Sequence, residues 1–194
     1  MCYNVAYIEK RSERVAKHYG AAFKPEDRTP EFFTVSGFSH PELFVVTAGE
    51  PSLIQCYQWG LIPAWCKDEQ QALEMRDHTL NAKAETVFEK PSFRNSITTK
   101  RCLVIVSGFY EWHTLNKKKY PFFIGLRDHD FFSLGGLYEH WANPETGELH
   151  HTFSVITVDA NPLMARIHNS KKRMPLIIPE HLEKEWLNTN LPKP

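Results

Sequence analysis

The chain has 194 residues, of which 42% are hydrophobic and 24% charged, and its formal net charge is zero. These proportions are typical of a globular protein, and they exclude nucleic-acid binding by an overall positive charge, so any such site must be a local basic patch. No apolar run approaches the ~20 residues that span a membrane, and the N-terminus lacks the apolar core of a secretory signal.

In chain order, the pattern predicts a strand over residues 3–8, a helix over 12–19, a loop over 24–31, strands over 32–35, 43–47 and 53–59, and a helix over 81–88. It then predicts strands over 102–106, 109–112, 122–126, 131–137 and 153–158, a short helix opened by Asn161 and Pro162, a strand over 176–178 and a helix over 181–187. Many strands with hairpin-like spacing and few helices favour an α+β fold, as one domain over residues 1–194 with a closed or nearly closed sheet.

The four cysteines form no C-x-x-C pair, which argues against a zinc site or a disulfide framework. No histidine pair has the spacing of a metal site, and no Gly-rich phosphate loop is present. We therefore expect a cytoplasmic protein that uses neither a metal nor a cofactor.

Cys2 directly follows the initiator methionine. Removal of Met1 would leave a free α-amine beside the thiol, and such a 1,2-aminothiol condenses with an aldehyde to a five-membered thiazolidine. The α-amine has an ordinary pKa of about 7.7–8.0 and the thiol one of about 8.5, so both are usable nucleophiles near neutral pH. The alternative is that Cys2 is simply a small residue at the start of a strand.

Glu111 lies at the end of a hydrophobic strand, between two aromatic residues. Alternation places Phe109, Glu111 and His113 on one face of this strand and Tyr110 and Trp112 on the other. Desolvation among aromatic rings should raise the pKa of the carboxyl and suit it to acid/base catalysis near neutrality. The alternative is a strand-end glutamate that points into solvent.

Asn81 lies at the start of the predicted helix over residues 81–88, on the same helical face as Glu85. It is either an ordinary N-cap or a carboxamide that binds a polar intermediate. His168 precedes the cations of residues 171–173, which should disfavour its protonated form. It is either a neutral base or a structural histidine.

The loop sequence WGLIPAW contains two tryptophans, of which we expect Trp59 in the core and Trp65 at the surface. An exposed tryptophan in a proline-bent loop is a natural stacking surface for a nucleic-acid base. The basic tract over residues 117–119 falls in a predicted hairpin turn, and we interpret it as solvated.

The segments Cys2, WGLIPAW, NAKAET, RCLVIVSGFYEW, PFFI, GLYEHW, VITVDANPLMARIH and RMPLII occur in this order. The ordered set resembles the SOS-response-associated peptidase (SRAP) family from Cys2 to about Leu187. The resemblance implies a mostly antiparallel, barrel-like β core with a few peripheral helices. It also implies a protein that senses abasic sites in single-stranded DNA and crosslinks to them through Cys2.

By the same resemblance, Asn81 positions the reacting sugar, Glu111 is the acid/base, and His168 assists ring opening and lyase chemistry. The residues expected to contact DNA are Asn4, Trp65, Lys83, Arg94, Thr157, Lys171, Lys172 and Arg173. The sequence departs from the family pattern at Asn4 and Lys83, which stand where arginines are usual. A longer spacer after His168 adds the two lysines.

Three alternatives remain open. A cysteine peptidase would use Cys2, His168 and Glu111 together. By the same resemblance, a peptidase activity also extends to removal of residues before Cys2. A non-covalent module would only bind single-stranded DNA, and a structural β-domain would have no site. We expect a monomer that is associated with the nucleoid when bound to DNA.

Overall fold

The computed structural model describes residues 2–24 and 32–190. Its strands are β1 (Asn4–Tyr7), β2 (Ala22–Phe23), β3 (Phe32–Ser36), β4 (Glu42–Thr47), β5 (Leu53–Trp59), β6 (Asn81–Lys83), β7 (Arg101–Val106), β8 (Gly108–Leu115), β9 (Lys118–Ile124), β10 (Phe132–Ala142), β11 (Leu149–Asp159), β12 (Arg173–Pro175) and β13 (Ile177–Ile178). Its α-helices are α1 (Ser12–Tyr19), α2 (Glu69–His78), α3 (Ser96–Thr99), α4 (Pro162–Ile167) and α5 (Glu183–Leu187).

The larger sheet closes on itself. Its strand order is β12-β11-β10-β7-β4-β5-β2, and β5 also pairs with β11 in parallel, with Gln58 opposite Thr152. Strands β11, β10, β7, β4 and β5 therefore form a closed barrel. The smaller sheet has the order β3-β1-β8-β9 and is antiparallel throughout. This architecture confirms the expected α+β fold with a mostly antiparallel, barrel-like core.

The main core lies between the two sheets. Cys102, Val104 and Val106 of β7 belong to a buried cluster that also contains Cys2 and Phe109 of the smaller-sheet side. The alternate residues of β7 join a second cluster, against which α1 and α5 pack. Because β7 is buried on both faces, its sequence is continuously apolar rather than alternating. This packing places Cys2 inside the protein.

A two-residue turn connects β8 to β9. Asn116 and Lys117 both have positive φ, 49° and 64°, as in the type I′ turns that match the twist of paired strands. The resulting register sets Glu111 opposite Phe122. The strand predicted over residues 122–126 is therefore longer at its start, because pairing with β8 extends it to Lys118–Ile124.

The predicted helix over residues 81–88 is wrong. Asn81–Lys83 form strand β6, which pairs in parallel with β11, and a short 3₁₀ turn over Ala84–Thr86 follows. Ala82 is buried between two more exposed neighbours, which is the period-two pattern of a strand. Backbone pairing with β11 outweighs the helix-favouring Ala, Lys and Glu composition of this segment.

Helix α2 was not predicted, although Asp68 is a recognisable N-cap. Its side chain accepts a hydrogen bond of 2.7 Å from the backbone N–H of Gln71. Its only buried residue is Ala72, so it lacks an apolar stripe. Met1 and most of the predicted loop over 24–31 lie outside the described residues. None of the described helices is long and apolar enough to cross a membrane.

Candidate active site around Cys2

Strand β6 places Asn81 beside the N-terminal segment. The Asn81 Nδ2 group donates a hydrogen bond of 2.9 Å to the carbonyl oxygen of Cys2. The Asn81 Oδ1 atom is buried, and no residue of the described chain pairs with it. Because nearly all buried polar atoms in proteins have partners, an acceptor left open in this way is suited to a donor on a bound molecule.

Cys2 is fully buried and lies two residues before the start of β1. Its Sγ atom lies 3.9 Å from the carbonyl oxygen of Asn4, to which the thiol donates weakly. Burial raises the pKa of the Cys2 thiol far above its ordinary value, and the charge of Glu111 raises it further. The thiol is therefore protonated at neutral pH and needs a base before it can act as a nucleophile.

Glu111 lies on β8 with only 3% of its surface exposed. Burial raises the pKa of its carboxyl from 4.5 to about 7, although a backbone hydrogen bond from Trp112 opposes the shift. Its Oε1 atom is buried and, within the described residues, has no hydrogen-bond partner. This confirms the predicted desolvated carboxyl and excludes the solvent-facing alternative. Such a group can both donate and accept a proton at neutral pH.

The imidazole of His168 contacts the Glu111 carboxyl. His168 Nδ1 donates a hydrogen bond of 2.9 Å to the carbonyl oxygen of Arg173 and lies 3.3 Å from Glu111 Oε2. Because a carbonyl oxygen only accepts, Nδ1 carries the proton, and Nε2 is an acceptor in the neutral ring. Burial lowers the pKa of His168, and the Lys171 charge lowers it further. The ring is therefore neutral near pH 7.

The four residues predicted to be catalytic thus form two contacting pairs, Asn81 with Cys2 and His168 with Glu111. The pairs are linked electrostatically, since the Glu111 charge raises the pKa of Cys2. Four polar groups from four separate parts of the chain are held in one buried region. This arrangement brings together a thiol, a carboxyl, an imidazole and a carboxamide that holds the carbonyl of Cys2.

Arg173 is held by carboxylates rather than exposed to solvent. Its Nη1 atom donates hydrogen bonds of 2.7 Å to Glu85 and 2.6 Å to Asp159, and its Nη2 atom donates one of 2.7 Å to the carbonyl oxygen of Thr157. Only 11% of the arginine side chain is exposed. The guanidinium can reach a phosphate only by exchanging one of these carboxylates for it.

The other residues expected to contact DNA differ in exposure. Trp65 is 42% exposed, as predicted, and its indole Nε1 donates a hydrogen bond of 3.3 Å to the carbonyl oxygen of Pro91. The fully buried Trp59 confirms the predicted core tryptophan. Asn4 is half-buried and Thr157 is buried. The other four residues are exposed cations: Lys83, Arg94, Lys171 and Lys172.

A groove of about 470 Å³ includes Asn81 in its wall. It is lined by Met75, His78, Thr79, Asn81, Lys83, Thr86, Lys90, Ser92 and Phe93. Two lysines in one wall make the groove suitable for an anion. The sequence analysis singled out neither His78 nor Lys90; His78 ends α2, which was not predicted, and Lys90 lies in an irregular segment that carries no motif.

A cavity of about 870 Å³ is lined mainly by residues of α1, α5 and the turn before α5, and its lining contains none of the residues predicted to be functional. The described part of the chain contains no group of three or more His, Cys, Asp or Glu residues placed to hold a metal ion.

Comparison with known proteins places these residues in context. The family model described as SOS response associated peptidase (SRAP) matches residues 1–194. The chain is 41% identical over 167 residues to a Bacillus subtilis (strain 168) protein named abasic site processing protein YoqW, covering 86% of this chain and 70% of that protein. It is 31% identical over 155 residues to abasic site processing protein HMCES of Xenopus tropicalis, covering 70% of this chain and 45% of that protein.

Among solved structures, a crystal structure of a protein from Bacteroides thetaiotaomicron is similar, with a TM-score of 0.92 and 39% sequence identity over 99% of this chain and 83% of that one. A second, from Bordetella bronchiseptica, has a TM-score of 0.82 at 23% identity, and covers 100% of this chain and 95% of that one. The latter likeness concerns the fold alone. The sequence, the barrel architecture and the matched family model together establish that the chain belongs to the SOS response associated peptidase (SRAP) family.

Proposed function

We propose that this protein processes abasic sites in single-stranded DNA and becomes covalently linked to them through Cys2 after removal of Met1. The observation that carries the proposal is the meeting of Cys2, Asn81, Glu111 and His168 in one buried region. The names of the relatives support the substrate, since several are called abasic site processing proteins.

The proposed chemistry joins the α-amine and thiol of Cys2 to the aldehyde of an opened abasic sugar. The amine adds to the aldehyde carbon, forming a C–N bond and a hydroxyl group. Glu111 in its protonated form donates to that hydroxyl, which leaves as water and gives an iminium ion. The thiol then loses its proton to the Glu111 carboxylate, which restores the acid form. The sulfur adds to the iminium carbon, and the electron pair of the C=N bond moves to the nitrogen, which keeps its one proton. The product is a thiazolidine, with loss of one water overall.

A pKa of about 7 suits Glu111 to both proton transfers. The group is close to half protonated at neutral pH, so it can act as an acid at dehydration and as a base at ring closure. The same transfers in reverse would release the DNA. His168, neutral and in contact with Glu111, would assist ring opening of the sugar and a lyase reaction at the 3′ side of the site.

Asn81 would orient both partners. Its Nδ2 group holds the Cys2 carbonyl, and the open Oδ1 acceptor is available to a hydroxyl of the opened sugar. Lys83, Arg94, Lys171 and Lys172 would contact phosphates, and Trp65 would stack on a base, with Asn4, Thr157 and Arg173 at the edge of this surface. We further expect a cytoplasmic monomer that associates with the nucleoid when it is bound to DNA.

A peptidase is the second candidate, because the Nδ1 atom of His168 lies 3.3 Å from the Glu111 carboxyl, as in a histidine that is oriented by a carboxylate. Such an enzyme would cleave peptides through Cys2, or would remove its own leading residues. Cleavage of an unrelated peptide that is lost in Cys2→Ala would favour this candidate over the covalent DNA link.

The proposal is tested by incubating the protein with a single-stranded oligonucleotide that carries one abasic site. Wild type should give an adduct that survives denaturation. Cys2→Ala retains the α-amine without a thiol, so it should give only an imine that requires borohydride for trapping. One additional residue before Cys2 blocks the amine and should abolish the adduct. A blocked protein that still crosslinks fully would rule out the thiazolidine, and non-covalent binding that is unchanged in Cys2→Ala with no adduct in wild type would indicate a simple binding module.

A further inference from the structure

Edge strand β9 exposes two aromatic rings on one face. Phe122 is 44% exposed and Tyr120 is 46% exposed. Because residues two apart on a strand point to the same side, about 6.7 Å apart, these rings form a row. Phe123, the next residue along the strand, points to the opposite face. Its ring packs against that of Tyr110, with ring centroids 5.2 Å apart.

This row is continuous with the active site. The register of β8 with β9 places Phe122 opposite Glu111 and Tyr120 opposite His113, and directly opposed residues of an antiparallel pair lie on the same face. The His113 ring meets Phe122 edge-on at a centroid distance of 6.2 Å. The row therefore begins beside the catalytic carboxyl and runs outward along β9.

His113 is fixed in this position from the neighbouring helix. Its Nδ1 atom donates a hydrogen bond of 2.9 Å to the carbonyl oxygen of Arg166 at the end of α4. Asn169 adds a second connection, since its Nδ2 group donates a hydrogen bond of 2.8 Å to the carbonyl oxygen of Thr114. The row thus has a rigid border along β8.

Positive charges lie on β9 itself and on the segments that border β8. Lys118 continues the face of Phe122 and Tyr120 by one further alternate position of β9. Arg166 of α4 and the loop lysines Lys171 and Lys172 are exposed. Exposed aromatic rings interleaved with cations are characteristic of surfaces that bind single-stranded nucleic acid without sequence preference, whereas an apolar protein partner would not require this charge.

We propose that Phe122 and Tyr120 form a stacking ledge for the bases that flank the abasic site, with Lys118 contacting a phosphate at its outer end. This assignment rests on the proposed function, because it takes the occupant of the site to be single-stranded DNA. The ledge guides the strand away from Glu111 along β9, and the groove that holds Lys83 and Lys90 accommodates the strand on the other side.

The test compares Phe122 with Phe123, the next residue of β9, which is 50% exposed but lies on the opposite face of the strand. Affinity for a fluorescently labelled, undamaged oligothymidine should fall about 5- to 150-fold in Phe122→Ala, the range expected for one lost base–aromatic stack. Phe123→Ala should bind as wild type does. Phe122→Leu retains apolar bulk without an aromatic face, and it should weaken binding as well while its unfolding temperature stays near that of wild type.

Equal affinity in Phe122→Ala and wild type would overturn the ledge, as would equal losses in the Phe122 and Phe123 variants. This binding assay contains no abasic site, so it is independent of the covalent reaction. Failure of wild type to crosslink an abasic oligonucleotide would contradict the proposed function instead, and failure of the stacking assay alone would contradict only the ledge.

Discussion

The carboxyl of Glu111 combines deep burial with a pKa of about 7, which places its titration in the range where the protein would act. We predict that Glu111→Gln slows both adduct formation and adduct release by roughly 10²–10⁴-fold, the usual contribution of a general acid/base. Time courses on denaturing gels across pH 5–8 measure this. The wild-type rate should vary with pH around 7, and the Gln variant should lose that dependence. His168→Ala should retain it. Wild-type rates in Glu111→Gln at every pH would refute the assignment.

The same burial has a consequence for stability. Glu111 has a raised pKa in the folded state, so the folded protein holds this proton more tightly than the unfolded chain, and ionisation of the buried carboxyl opposes folding. The destabilisation is absent below the ordinary value of 4.5, grows as pH rises to about 7, and is complete above that. It amounts to at most about 3 kcal/mol.

Glu111→Gln removes this charge while preserving shape. We predict that the variant unfolds at the same temperature as wild type near pH 4 and at a higher temperature at pH 8. Thermal unfolding monitored by circular dichroism at the two pH values checks this. If the variant is equally or less stable than wild type at pH 8, ionisation of the Glu111 carboxyl does not destabilise the folded protein.

Asn81 fixes Cys2 through a single hydrogen bond of 2.9 Å. We predict that Asn81→Ala slows crosslinking about 100-fold, since a displacement of the reacting group by about 1 Å has effects of that size. Asn81→Asp is the matched control, because it keeps an acceptor and loses the donor to the Cys2 carbonyl. Both variants should crosslink slowly, because both lack the hydrogen bond that Asn81 Nδ2 donates to the Cys2 carbonyl. A fast Asn81→Asp variant would assign the role to the acceptor alone.

Local patterns were sufficient to predict the environments of Glu111 and His168. Alternation along β8 places Glu111 on the buried face with Phe109, and burial together with the charge of Lys171 accounts for the lowered pKa of His168. The contact of Asn81 with Cys2 was not predictable from local pattern, because it depends on the parallel pairing of β6 with β11. The carboxylates that hold Arg173 also come from distant positions in the sequence.

At the scale of elements, the β12 segment is tied to the 3₁₀ turn after β6 by the Arg173–Glu85 ion pair, with Nη2 to Oε2 at 2.9 Å. We predict that Glu85→Gln weakens this pair and makes the arginine available to a phosphate. Binding to single-stranded DNA should tighten, and the slope of log K against log salt should become steeper by about 0.7, the value for one more phosphate contact. Titrations at several salt concentrations measure the slope. An unchanged slope would mean that Arg173 does not reach the DNA.

Helix α2 and strand β6 show why some elements were missed or misassigned. α2 has no apolar stripe, so its N-cap at Asp68 was the only local signal. β6 has three residues and a helix-favouring composition, and its conformation is set by pairing with β11 rather than by propensity. Strands β4, β5 and β7 have strong apolar signals and were predicted within one residue of their observed bounds. Strands β10 and β11 are longer than predicted: β10 continues to Ala142 rather than ending at 137, and β11 begins at Leu149 rather than at 153.

For the whole molecule, the number and spacing of strands predicted the α+β class and a closed or nearly closed sheet, but they did not predict which two strands close it. The ring closes where β5 meets β11 in parallel, a pairing between segments separated by about half of the chain. Closure brings β6 alongside β11 and buries Cys2 between the two sheets. The site therefore depends on the complete fold rather than on any one segment.

The covalent link through Cys2 is the central claim, and the intact mass of the protein after incubation with an abasic oligonucleotide tests it most directly. We predict a single species whose mass equals the chain without Met1 plus the oligonucleotide less one water, and no such species from Cys2→Ala. A wild-type chain that has lost Met1 yet shows only its unmodified mass after the incubation would contradict the account.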